Sequence, residues 1–387
     1  MKTPSKWGIA AVLGLGILVL CQRIWASQEQ TREILAQNSM DSADIDEMIK
    51  AQKHLATIDA FHRMGSDRDA GPVLNPFIGL DAFIDQQHTV WWNDLSTEHI
   101  GVIKENWSTQ PELLPPGDLS ILQELLTYDY WDRDDSGAMA DYLAAPRDVS
   151  RLDVPQTNLV HIQYLAKLRL AKGLQDQDML PALQEVRHLA RLTHDGEFLV
   201  DTMIAIALLG IERKGYEAAV EAGILAADAW VPVSEEDGLL ARKVAFGMVI
   251  VYQGLAPDDA VERLESSGVP LFGLCSAISE SGMQMGLPRM LLGTRWPGEV
   301  DLMPAWEDHG GRLDTERCSL PITQLYWDQP DLGRAEFTKE QPVLTRLPYY
   351  GTAEWAKAWF PSPFFKEWRS ESRDRPVRRS KAKSNPG

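Results

Sequence analysis

Only three of the 387 residues are cysteine, at positions 21, 275 and 318, which excludes the disulfide-dense scaffold of small secreted domains and any zinc site built on clustered thiolates. Histidine is scarce too, at eight, and shows no ligand spacing. There is no His-Glu-x-x-His, and His188 and His194, six apart, would not share a helix face. No Gly-x-Ser-x-Gly elbow supports a serine nucleophile, and no Gly-x-x-x-x-Gly-Lys loop cradles a phosphate. Positive charge is also short: 38 Lys and Arg face 56 Asp and Glu, a net −18. That excludes nucleic acid as a main partner, because phosphate binding needs a basic surface. Sustained period-two alternation with paired turn signals is missing, so a sheet-based fold is disfavoured.

What remains is a composition able to build a core, with 44% apolar and 24% charged residues, close to ordinary globular usage. Its most distinctive stretch comes first. Fifteen apolar residues from Trp7 to Cys21 follow Lys2 and Lys6 and precede Gln22-Arg23, the layout of a secretory signal or a signal anchor. The leading positive charge keeps that end in the cytoplasm, so the chain from about Ser27 onward faces outward. A membrane helix is the expectation, giving a single-pass protein of the cytoplasmic membrane with its bulk outside the cytoplasm. The alternative is cleavage between Ala26 and Ser27, leaving a secreted or periplasmic protein. Two further apolar runs, Met203–Ile211 and Val244–Tyr252, are too short to span and read as buried helix.

The expected fold is mainly α. Ile45, Met48, Ile49, Gln52, Leu55, Ile58, Phe61 and Met64 fall at three-and-four spacing, with Asp41, Ser42 and Asp44 as caps and Gly65 at the end. Residues 27–117 therefore combine an amphipathic helix with an irregular region containing Trp91, Trp92 and Trp107. Residues 118–265 form a domain of antiparallel helical hairpins, solenoid-like or an α/α bundle. Its stripes run through Leu159, Ile162 and Ala166, through Met179, Leu183, Val186 and Leu189, and on to Ala227. Gly173, Gly196 and Gly215 punctuate them, so helices start about twenty residues apart. With Ala171-Lys172-Gly173-Leu174 and Ala182-Leu183, the segment Leu165 to Leu192 resembles one tetratricopeptide-type unit.

Beyond residue 265 Pro, Gly and Trp become frequent, and 266–368 reads as a less regular Trp-rich region packed on the helices. Tyr349, Tyr350, Trp355 and Trp359 lie in its densest aromatic stretch, a surface for a protein or glycan partner or a flap closing over the helical domain. Residues 369–387 read as a disordered basic tail. From Lys366 to the end, eight Lys or Arg outnumber three acids, leaving −23 on everything before them. Such a tail is either a solvated end or a tether to an acidic envelope polymer.

Three constellations could carry chemistry. Asp132, Asp134 and Ser136, followed by Gly137, begin as an EF-hand-type loop does and are candidate calcium ligands. Leu143 stands where that loop needs its bidentate Glu, and an acidic turn capping the next helix explains the same residues. Cys275 and Cys318 are an even pair that could form one disulfide or remain two buried thiols. Glu280-Ser281-Gly282-Met283-Gln284-Met285-Gly286-Leu287-Pro288 resembles the Glu-Ser and Gly-Leu-Met-Gln motifs of lytic transglycosylases, which implies Glu280 as general acid and base. The two motifs abut here, whereas that family separates them.

Two functions follow. The first, ranked ahead, is a non-catalytic binding or scaffold protein of the cell envelope, with a protein partner and no cofactor. The second is a cell-wall glycan-acting hydrolase or lyase with a Trp-lined acidic cleft.

Overall fold

In the computed structural model the residues described are 39–62, 67–78, 80–82, 85–86, 95–114, 117–132, 156–157, 159–194, 196–252, 255–280 and 318. Those from Met40 onward belong to one compact unit. They are mainly helical: α1 (Ser42–Leu55), α2 (Gly71–Ile78), α3 (Thr97–Glu105), α4 (Ser120–Leu125), α5 (Leu159–Asp176), α6 (Met179–His194), α7 (Leu199–Glu221), α8 (Glu235–Tyr252) and α9 (Ala260–Glu265). Residues 274–280 are helical as well. Three strands, β1 (Leu80–Ala82), β2 (Asp85–Gln86) and β3 (Gln156–Thr157), pair antiparallel in the order β2-β1-β3. Each is too short to show an alternating pattern, so the sequence did not signal them.

α1 begins where its caps require. The Asp41 side chain accepts from the amides of Ala43 and Asp44, and the Asp44 carboxylate accepts from the Asp41 amide, so two otherwise unpaired donors are satisfied reciprocally. Ile45, Met48, Gln52 and Leu55 are its buried stripe. The helix ends at Leu55, earlier than the spacing through Phe61 and Met64 predicts. The Thr57 hydroxyl donates to the His54 carbonyl, and Ile58 turns extended at φ −103°. A short 3-10 turn, Asp59–Phe61, then sets Phe61 edge-on to Phe272 at 5.0 Å.

α5, α6 and α7 start at 159, 179 and 199, the twenty-residue step legible in the sequence. The three pack on one another. α8 packs on α7 and α1, and α9 on α1 and α8, so contacts run across positions 117 and 265. Met203–Ile211 and Val244–Tyr252 lie inside α7 and α8. Among the described residues no helix is long and apolar enough to cross a membrane, and Trp7–Cys21 lies outside them.

Two glycines expected to close helices lie inside them instead. α5 continues past Gly173 to Asp176, and α7 past Gly215 to Glu221. A Cβ at Gly173 would stand 2.8 Å from Met179 Sδ and 2.9 Å from Ala182 Cβ, and one at Gly215 would stand 3.0 Å from Leu170 Cδ1. Their bare backbones let α5 approach α6 and α7 closely. The turn after α5 is made by Gln177, at φ +55°.

Gly173→Ala should therefore lower stability by about 1–3 kcal/mol, the usual cost of overpacking. Gly210→Ala, also within α7 but with nothing within 4 Å of the new methyl, should instead raise it by up to about 1 kcal/mol. Urea unfolding of both variants measures the contrast. Equal effects would refute the close-approach account.

Candidate functional site

The buried face of α7 runs through Asp201, Ala205, Leu208, Glu212, Gly215 and Ala219, the alternating four-and-three spacing of one helix face. Glu212 thus stands where that face wants an apolar residue, and its side chain is fully buried. Arg187, on α6, forks onto it, with Nη2 2.5 Å from Oε1 and Nε 3.2 Å from Oε2. The Trp230 indole donates to Oε1 at 2.5 Å, and the Arg187 guanidinium lies 4.2 Å from the Trp230 ring centroid. Arg187 also donates to the Val231 carbonyl at 2.7 Å. Burial pushes the Glu212 carboxyl above the ordinary carboxylate range, against the pull of Arg187 and Trp230. A second forked pair, Arg169 on Glu185 at 2.6 and 3.2 Å, joins α5 to α6.

A second polar centre lies around residues 272–280. Gln52 of α1 donates from Nε2 to the Phe272 carbonyl at 3.1 Å and accepts from the Phe272 amide at 2.8 Å. The Phe272 ring stacks on His194 at 4.3 Å. Gly273, at φ +76°, is close enough to α8 that a Cβ would stand 3.2 Å from Ala245 Cα. The Thr202 hydroxyl donates to Ser276 Oγ at 3.1 Å.

Glu280 belongs to this centre. Its Oε1 accepts from the Leu199 amide at 3.2 Å, which places a carboxylate at the N-terminus of α7, where the helix dipole favours negative charge. Ser281 to Pro288, the remainder of the motif it headed, lie outside the described residues. Cys275 and Cys318 are joined as a disulfide with Cα atoms 5.4 Å apart.

Asp132 is tied through its backbone. Its amide donates to Asp69 Oδ1 at 2.7 Å and its carbonyl accepts from Asn75 Nδ2 at 2.9 Å. Asn75 in turn accepts from the Trp131 indole at 2.7 Å. Asp134 and Ser136 lie outside the described residues, as do Tyr349, Tyr350, Trp355 and Trp359.

Sequence reasoning missed Arg187, Glu212 and Trp230. A signal existed: a Glu directly after the apolar run Met203–Ile211, in phase with Ala205 and Leu208. A charge in that phase demands a partner. Chemically, the arrangement holds its carboxylates in fixed pairs and is suited to presenting a rigid surface.

Glu212→Ala should cost about 3–5 kcal/mol, because it leaves Arg187 charged and unpaired in the interior. With its carboxyl raised, the folded chain holds the Glu212 proton more tightly than the unfolded chain does. The stability this group contributes is therefore complete below the unfolded value and lost as pH rises through the folded one. Urea unfolding across pH should show that decline in the parent, reduced in Glu212→Gln. An alanine variant as stable as the parent would overturn the assignment.

No protein-family model matches the chain, and no curated protein or solved structure is detectably similar to it.

Proposed function

We propose that the chain is a helical protein of the cell envelope with a non-catalytic binding or scaffold role, held at the cytoplasmic membrane by Trp7–Cys21 with its bulk outside the cytoplasm. If the chain is cut at Ala26–Ser27, the same body is released as a secreted or periplasmic protein. The observation that carries the binding role is how the charged groups are engaged. Glu280, the residue a glycan-cleaving role needs, turns its carboxylate to the Leu199 amide. Glu185 and Glu212 are forked onto arginines. A general acid needs a carboxyl within reach of the substrate proton, and these three are committed to the fold. The Cys275–Cys318 bond suits an oxidising compartment outside the cytoplasm. Connections of two residues after α5 and four after α6 suit a stack of antiparallel hairpins. The aromatic stretch with Tyr349, Tyr350, Trp355 and Trp359 and the basic end of the chain supply further surfaces for a protein partner or an acidic envelope polymer.

Location is tested by fusing alkaline phosphatase behind Ser39, which should yield active enzyme because phosphatase matures only outside the cytoplasm. An inactive fusion would remove the envelope from the proposal. Mass spectrometry of the protein from membranes should find an intact N-terminal segment and a Cys275–Cys318 linked peptide; Ser27 at the N-terminus would replace the anchor with a cleaved signal. A zymogram on purified cell wall should show no clearing. Clearing that Glu280→Gln abolishes would establish the enzyme instead.

A further inference from the structure

The connection between α7 and α8 does not stray from the body. The amides of Ile224 and Leu225 donate to the Ala219 carbonyl at 2.8 and 3.2 Å, the Tyr216 hydroxyl to the Ala227 carbonyl at 2.5 Å, and the Trp230 indole to Glu212 at 2.5 Å. Residues 219, 216 and 212 share one face of α7, so the chain retraces the last turns of that helix. Arg187 then fixes Val231 through its carbonyl. Arg213 lies 3.7 Å from Glu235 and ties the first turn of α8 to α7. Despite this anchoring, the segment presents apolar side chains to solvent. Val231 is 78% exposed and Leu239 55%, the two largest exposures among the large hydrophobic residues described.

Such exposure is costly, since an aliphatic side chain left in water forgoes about 1.5–3 kcal/mol of burial. A connection held in place at five points pays little further ordering entropy when something covers it. The charges around it select the occupant. Glu217, Glu221, Asp228, Glu235 and Glu236 are exposed, and Glu221, Asp228 and Glu236 carry no ion pair among the described residues. Of the two cations nearby in the chain, Arg213 is shared between Glu217 and Glu235, and Lys214 lies 5.7 Å from the Trp107 ring centroid. A second copy would bring these acids against their own kind in a chain of net charge −18, and anionic lipid headgroups would meet the same repulsion.

We propose that the connection 222–234 and the first turns of α8 form a docking surface for a basic, apolar-faced segment of a partner protein, in which aliphatic side chains cover Val231 and Leu239 and Lys or Arg meet Glu221, Asp228 and Glu236. This rests on the binding role proposed above and names the surface and the partner's chemistry.

The probe is a synthetic amphipathic peptide of leucine and lysine at helical spacing, fluorescently labelled and carrying a photoreactive group, titrated into the full-length protein in detergent. The lysine peptide should bind, weaken as salt rises, and cross-link within residues 217–243. Val231→Ser with Leu239→Asn should weaken it about tenfold, the effect of losing one buried aliphatic contact, and Glu221→Lys with Glu236→Lys by a comparable factor. Val160→Asn with Val200→Asn, exposed apolar residues on other helices, should leave binding unchanged.

Several results would overturn the proposal: equal binding of a leucine–glutamate peptide, unchanged affinity in the Val231 and Leu239 variant, or cross-links confined to other residues. So would a dimer that this variant splits, which assigns the surface to a second copy. Binding that appears only after residues 369–387 are removed would assign it to the chain's own basic end. Cross-links to Tyr349, Tyr350, Trp355 or Trp359 would leave the binding role standing and remove this surface from it.

Discussion

A carboxylate in the apolar face of α7 is the constraint around which the described helices are arranged. Glu212 occupies a core position and cannot be left charged without a partner. Its partners come from two different places, Arg187 on α6 and Trp230 on the connection to α8. Satisfying one group therefore fixes the rotation of α6 against α7 and draws the connection back along the helix. Buried ion pairs seldom add much net stability over well-packed apolar residues. Here the pair's contribution is orientation: a planar guanidinium that must fork one carboxylate and stack on one indole has few other places to go.

The segment around Phe272 performs a comparable task at the other end of the sequence. A single glutamine side chain, Gln52, meets both hydrogen-bonding groups of the Phe272 backbone, so a loop that forms no ladder still has its polar groups satisfied. The same segment reaches α7 through Ser276 and Glu280, comes against α8 at Gly273, and is bonded to Cys318. α1, near the start of the described chain, and residues 272–280, near its end, are thereby held to one helical body. Glu280 is the clearest case of a residue whose short-range motif suggests chemistry while its long-range position supplies a cap.

What the sequence made legible was local. The Asp41 and Asp44 box, the stripe of α1 as far as Leu55, the helix starts near 159, 179 and 199, and the buried character of Met203–Ile211 and Val244–Tyr252 each depend on residues within a few turns of one another. What it hid depends on distant pairing. Gly173 and Gly215 look like helix breakers because glycine often is one, but only the approach of Met179, Ala182 and Leu170 shows why they interrupt nothing. α1 stops at Leu55 although its apolar spacing continues, because Phe61 is needed against Phe272, more than two hundred residues further on. Arg187 and Trp230 could not be matched to Glu212 without knowing that α6 and the connection flank it.

The balance between catalysis and binding can be argued from the state of the polar groups. A catalytic carboxylate must change its proton or its partner during turnover, so a site keeps it within reach of substrate and incompletely paired. Glu185 and Glu212 are instead locked in forked pairs, and Glu280 is directed to a helix amide. The groups that water surrounds are of another kind. Val231 and Leu239 stand exposed on a backbone that hydrogen bonds and an ion pair hold rigid. Rigid polar interiors beneath exposed apolar side chains lower the entropy cost of association without preparing any bond to break. Together with an acidic surround, that places the means of action of the described helices at their surface.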